Sequence, residues 1–216
     1  MDISYWNQYY SKKIDGDSDL VVHASNFAKF ANRFISPGVG SALDTGRLQT
    51  LIDLGSGNGR DTVFFADTGN LVTACDSSQS ALAKLAEDGF CTIHKPMQKL
   101  DDEDGSFDVV YSRFSLHSLT QEEQDAVFRW AESHCRKTLC IETRSVFDPR
   151  YGKGWRQEED KNAFVDTHYR RFTTLDDLVR QAREHGFTIV HAEINFTDAW
   201  HGEDKAVVNR LIATKE

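Results

Sequence analysis

An apolar run, Leu51-Ile52-Asp53-Leu54, gives way at once to Gly55-Ser56-Gly57-Asn58-Gly59, and a second apolar run ends in Cys75-Asp76. The first run predicts a strand, the glycines a tight turn, and Asp61 to Asp67 the opening of a helix. Glycines at alternate positions let the backbone turn sharply and leave no Cβ between main chain and ligand. An acid closing the second strand sits where a doubly wound sheet offers a carboxylate to a ribose diol. Together they point to a cofactor of nucleoside type. The dinucleotide spacing G-x-G-x-x-G is not met, because Arg60 stands where its last glycine belongs.

The rest of the chain repeats the alternation. Strands are expected at 48–54, 71–75, 90–94, 107–112 and 138–143, with helices at 80–87, closed by Gly89, and at 122–135. Strands separated by helical patterns imply a parallel sheet. Residues 144–172 read as an irregular stretch too long for an ordinary connector. A helix at 174–185, closed by Gly186, and strands at 187–194 and 207–214 complete the reading. Ahead of the sheet, Ser25-Asn26 caps a helix through Ile35, which Pro37-Gly38 stops.

The segment Asp53-Leu54-Gly55-Ser56-Gly57-Asn58-Gly59 resembles the first motif of class I S-adenosylmethionine-dependent methyltransferases, and Asp76 matches their ribose-binding acid. Gly105-Ser106-Phe107-Asp108-Val109-Val110-Tyr111-Ser112 resembles their fourth strand, and Phe114-Ser115-Leu116-His117-Ser118-Leu119 the segment after it. The resemblance spans about residues 48 to 145, in order. It implies an α/β fold: a Rossmann-like, seven-stranded, mostly parallel sheet with helices on both faces and the last strand antiparallel. The chain then divides as one methyltransferase domain, 1–216. Within it lie an N-terminal helical lid at 1–47, a cofactor-binding core at 48–143, an acceptor-site insert at 144–173, and a C-terminal helix and hairpin at 174–216.

The same resemblance assigns S-adenosylmethionine as cofactor. Gly55, Gly57 and Gly59, with Ser56 and Asn58, admit its methionine part. Asp53 holds the turn or meets the amino group through water. Asp76, beside Ser77, takes the ribose hydroxyls. Met97 and Gln98 lie where the family contacts adenine, although the expected acid-containing pair is missing there. Ser112 ends the fourth strand. Trp6 and Tyr10, with Tyr5 and Tyr9, either form an aromatic lid over the cofactor or pack the terminal helix onto the sheet.

For the acceptor, basic and hydrogen-bonding groups gather late in the chain, at Arg144, Tyr151, His168, Tyr169, Arg170 and Arg171, with Glu142 at the end of the fifth strand. Arginine pairs hold phosphate or carboxylate through parallel hydrogen bonds, so an anionic acceptor is expected, a phosphorylated metabolite or a sugar. His168-Tyr169-Arg170-Arg171-Phe172 also resembles a segment of small methyltransferases of surface-polysaccharide pathways. His168 and His117 compete as base. His168 is preferred, because neighbouring arginines keep an imidazole neutral. A phosphate oxygen would need no base.

The expected activity is O-methylation of a small polar acceptor. Alternatives are N-methylation of a small molecule, or a non-catalytic scaffold on the same fold. A net charge of −9 argues against a general nucleic-acid partner. No apolar run reaches the roughly 20 residues of a membrane span. The N-terminus lacks a signal-peptide pattern, so cytoplasmic residence is expected. Four cysteines without a C-x-x-C pair give no reason to expect a metal. Oligomeric state stays open.

Overall fold

Alternation along the strands decides which side chains meet which helices. In the computed structural model, which describes residues 3–14, 23–35, 48–201 and 204–215, the first strand, β1 (Thr50–Leu54), lies at the centre of the sheet. Its successive residues point to opposite faces. Leu51 joins Phe27, Ala31 and Ile35 of a helix ahead of the sheet, together with Phe65 and Tyr111. Ile52 and Leu54 join Val110, Val127, Phe128 and Leu178 on the other side. Burying both faces is what a near-continuous apolar strand requires.

The chain runs α1 (Ile3–Ile14), α2 (Asn26–Ile35), β1, α3 (Arg60–Asp67), β2 (Leu71–Asp76), α4 (Gln79–Glu87) and β3 (Cys91–His94). It continues through β4 (Phe107–Arg113), α5 (Gln121–His134), β5 (Cys135–Arg144), β6 (Trp155–Arg156), β7 (Ala163–Val165) and β8 (Tyr169–Arg171). Then come α6 (Leu175–Glu184), β9 (Thr188–His201) and β10 (Asp204–Thr214). Seven strands form one sheet in the order β3-β2-β1-β4-β5-β10-β9. β10 runs antiparallel to both of its neighbours, and the pairings from β3 through β5 are parallel. The expected sheet, with its antiparallel last strand, is the one found. Strand order reverses between β1 and β4, and ligands of open α/β sheets gather beyond the carboxyl ends at such a reversal.

Side-chain caps set several helix starts. Ser25 Oγ accepts from Ala28 N, Ser78 from Ala81 N, and Thr174 from Asp177 N. Thr120 and Glu123 form a reciprocal capping box on α5. The stop expected at Pro37-Gly38 lies outside the described residues, as do parts of the expected lid segment 1–47.

Three expectations need correction. β5 begins at Cys135, because α5 passes into it with no intervening loop. β9 and β10 extend across much of what reads as a polar loop. Asn195, Thr197 and Asp198 mask the strand pattern, and the pairing shifts register between Ala206 and Val208. The stretch 144–172 contains an antiparallel three-stranded sheet, β6-β7-β8, with its own small core of Ala163, Phe164 and Phe172. Among the described residues no helix is long and apolar enough to cross a membrane, and no cluster of three or more His, Cys, Asp or Glu suits a metal.

Candidate active site

The turn after β1 is built for close approach. Gly55 and Gly57 have φ of 72° and 56°, a left-handed backbone that costs glycine no Cβ clash. A Cβ on Gly55 would lie 2.3 Å from Ser115 Cβ, and one on Gly57 2.3 Å from Tyr10 Oη. Gly59 serves a different purpose: a Cβ there would strike Leu85 of α4 at 2.4 Å, so it spaces α3 from α4 and lines neither cavity described below.

Asp76 holds this turn to the next helix. Its carboxylate accepts from Gly57 N at 2.9 Å and from Ser78 N at 2.8 Å, and the Ser77 backbone N–H is a further donor to it. An ionised carboxylate has about four acceptor sites, so about one remains for a ligand hydroxyl. Burial pushes the Asp76 carboxyl above the usual range against those backbone hydrogen bonds. Asp53, at the end of β1, accepts from Thr62 Oγ1 at 2.7 Å. Burial first, and then the neighbouring Asp61, push its carboxyl up to about 7.

Two adjoining cavities meet at this turn. The smaller, about 40 Å³, lies among Asp76, Ser77, Met97 and Ser115, with Trp6 and Tyr10 on its wall. The larger, about 490 Å³, runs past Asp53, Gly55, Ser56 and Asn58 toward the insert. Trp6, Tyr10, Gly55 and Phe114 border both. α1 is fastened across them by Ser78 Oγ donating to Asn7 Oδ1 at 2.8 Å and by the Ser11–Ser80 hydroxyl pair at 3.2 Å. Ser56 Oγ is buried with no hydrogen-bond partner among the described residues, which leaves it for a polar ligand.

Besides Gly57 and Gly59, two more expected cofactor residues line neither cavity. Gln98 turns to Glu123 of α5 at 3.0 Å, because the capping box of α5 offers a carboxylate there. Ser112 is buried below the cavity floor, its Oγ 2.6 Å from that of Ser115. Ser115 is the residue that lines the cavity, and its hydroxyl also donates to Leu54 O at 2.8 Å.

Arginines converge at the far end of the larger cavity: Arg113 from β4, Arg144 from β5, Arg150 from the insert and Arg170 from β8. Carboxylates stitch them together. Asp204 bridges Arg144 and Arg150 at 2.5 and 3.0 Å, Arg144 also holds Asp148 at 2.8 Å, and Asp166 pairs with Arg170 and, at 3.7 Å, with Arg150. Arg144, Arg150 and Arg170 are therefore balanced by Asp148, Asp166 and Asp204. Arg113 is held at 2.9 Å by Glu142.

Between the two ends sits Phe114, a non-glycine residue with φ of 51°. For a bulky side chain that conformation costs about 1–2 kcal/mol. The guanidinium carbons of Arg113 and Arg144 lie 4.6 and 5.2 Å from its ring centroid.

His168 lines the same cavity, with its ring 4.5 Å from Tyr5 and 5.2 Å from Trp6 between centroids. Its pKa falls to about 4, through burial first and the Arg170 charge second. The arginine effect expected from the sequence is present, but it ranks below burial. His117 also lines the cavity, its ring edge-on to Phe114 at 6.0 Å.

Four residues expected to meet the acceptor do not line this cavity. Glu142 is fully buried between Arg113 and Arg210, at 2.9 and 2.7 Å, and orients the former. Tyr151 packs against Phe164 and Phe172 and donates to Asn162 at 3.1 Å. Tyr169 and Arg171 face the opposite side of β8, because neighbouring strand residues alternate. Arg171 there binds Asp160 at 2.6 Å, Gln124 at 2.7 Å and Gln121, tying the insert to α5. Arg113, Phe114 and Arg150 were not assigned to the site: the first two directly follow one another at the end of β4, and only the fold brings Arg150 of the insert to them.

Residues 51–138 match a family model described as a methyltransferase domain. No curated protein matches the chain. Among solved structures, a 1,6-didemethyltoxoflavin-N1-methyltransferase of Burkholderia thailandensis is similar at 20% identity and TM-score 0.69, covering 99% of this chain and 86% of that one. A magnesium protoporphyrin IX methyltransferase of Synechocystis PCC 6803, bound to S-adenosylhomocysteine, is similar at 15% identity and TM-score 0.69, over 99% and 97%. A glycopeptide N-methyltransferase is similar at 21% identity and TM-score 0.60, over 90% and 97%. At these identities the likeness is one of fold.

Proposed function

This chain carries a class I S-adenosylmethionine-dependent methyltransferase domain, and on that premise we propose that it O-methylates a small polar acceptor bearing an anionic group. The observation that carries this reading is the larger cavity, which runs from the glycine turn to Arg113, Arg144, Arg150 and Arg170. One end suits the cofactor, and the other offers guanidinium donors to a carboxylate or phosphate.

The residues present fit the cofactor. Asp76 lines the smaller cavity with an acceptor site left for a ribose hydroxyl, Ser56 Oγ is an orphan in the turn, and Met97 with Trp6 and Tyr10 supplies apolar surface for the base. When bound, S-adenosylmethionine supplies a methyl group on an already activated sulfonium. The chain then has three tasks: alignment, exclusion of water and custody of a proton. α1 serves the second, since its aromatic rings wall both cavities.

His168 serves the third where the acceptor atom is a hydroxyl. With its pKa near 4 it is neutral at physiological pH and accepts a hydrogen bond. A hydroxyl becomes strongly acidic as its oxygen bonds to carbon, so a weak base is sufficient. A phosphate or carboxylate oxygen needs no such transfer. His168 then acts as an orienting neighbour of Arg170, whose Nη2 is 3.4 Å from Nδ1.

Calorimetric titration with S-adenosylhomocysteine tests the cofactor half. The wild type should bind, and Asp76→Ala should lose at least about tenfold, equivalent to about 1.4 kcal/mol. Folded wild-type protein that binds neither S-adenosylmethionine nor its product would overturn the reading.

A further inference from the structure

We propose that Phe114 is a positioning residue for acceptor recognition, its ring fixing the planes of Arg113 and Arg144 at the anion-binding end of the cavity. The proposal rests on reading that end as the acceptor site. Three features of the molecule carry it.

The first is the backbone. Both neighbours of Phe114 are tied to buried groups: Arg113 to Glu142, and Ser115 through its hydroxyl to Leu54 O at 2.8 Å. Phe114 N itself donates to Glu142 O at 3.0 Å. With both sides pinned, the chain leaves β4 through a left-handed residue, at φ 51°. Glycine is the usual occupant of such a conformation. A phenylalanine held there indicates that the ring is needed.

The second is what the ring touches. Two guanidinium groups from different strands share it, at 4.6 and 5.2 Å. An arginine stacked on an aromatic ring loses rotational freedom before a ligand arrives, so its donors are set in advance. The third is location. Phe114 borders both cavities, so the ring that orients the arginines also walls the cofactor end.

A space-filling role is the competing explanation, because the ring also packs against Ala199, Ala206 and Val208 of the β9–β10 hairpin. Leucine would satisfy packing and tyrosine would preserve stacking, so the two substitutions separate the explanations. The probes are S-adenosylhomocysteine, and inorganic phosphate titrated with S-adenosylhomocysteine already bound. Phe114→Leu should weaken phosphate binding by about tenfold, while Phe114→Tyr stays within about twofold of wild type. Because the ring also walls the cofactor end, affinity for S-adenosylhomocysteine is read in both variants, and the loss of phosphate affinity in Phe114→Leu should exceed any change in S-adenosylhomocysteine affinity.

Phosphate affinity unchanged in Phe114→Leu would overturn the positioning role and leave the anion site standing. A wild type that binds S-adenosylhomocysteine but no phosphate would overturn the anionic-acceptor reading together with it. Should Phe114→Leu fail to fold, Phe114→Met carries the same expectation.

Discussion

Asp53 and His168 stand on the same cavity and titrate in opposite senses. The Asp53 carboxyl is raised to about 7, so the folded chain holds a proton there that the unfolded chain releases at lower pH. Its contribution to stability is complete below about pH 4 and is lost as pH rises through 7. The His168 pKa is depressed to about 4. Its contribution is complete above about pH 6.5 and is lost as pH falls through 4. Between these limits the two slopes oppose each other, and each single variant exposes the other. Asp53→Asn, which keeps an acceptor for Thr62, should raise the melting temperature at pH 8, by at most about 4 kcal/mol of stability, with the gain shrinking toward pH 4. His168→Phe should flatten the acid limb between pH 6.5 and 4. Melts across pH 4 to 8 check both, and parallel curves for wild type and variants would refute the assignments. At this scale the sequence is readable where a residue's task is set by its neighbours in the chain. Asp76 holds the glycine turn from a position that the strand-turn-strand pattern already marks. Arg113 and Arg150 are not readable, because their task depends on β4 and the insert meeting in space.

β8 shows how an element of three residues redistributes what looks like one basic cluster. Arg170 and Arg171 are adjacent in sequence and suggest one anion clamp. On a strand they diverge, Arg170 to the cavity and Arg171 to Asp160 and α5. The two alanine variants should therefore fail differently. Arg170→Ala should weaken phosphate binding with little effect on S-adenosylhomocysteine. Arg171→Ala should cost about 2 kcal/mol of stability by leaving the buried Gln124 carbonyl unsatisfied and Asp160 unpaired, while sparing both ligands. Titration calorimetry alongside chemical denaturation separates them, and equal loss of phosphate affinity in both variants would contradict the divergence. Strands of two or three residues fall below the length at which periodicity can be recognised, so the insert reads as irregular. Longer elements read well: β1, β4 and the capped helices α4, α5 and α6 lie within a few residues of expectation. β9 lengthens because pairing with β10 overrides its polar composition.

Across the whole molecule, the reversal of strand order between β1 and β4 brings the glycine turn and the arginines to one cavity. That much follows from the order of strands and helices. What the order cannot reveal is the charge balance at the far end, where Arg144, Arg150 and Arg170 are each paired with a carboxylate. The chain around them carries a net charge of −9. A cleft of this kind offers no long-range attraction to an approaching anion, and the net charge around it is repulsive. The association rate of an anionic acceptor should accordingly hold or rise between low and moderate salt, which stopped-flow binding at varied ionic strength would test. A rate falling steeply with salt would mean that the arginines act as a field. Neutralised as they are, they make this protein a judge of anions at contact, and leave the finding of them to diffusion.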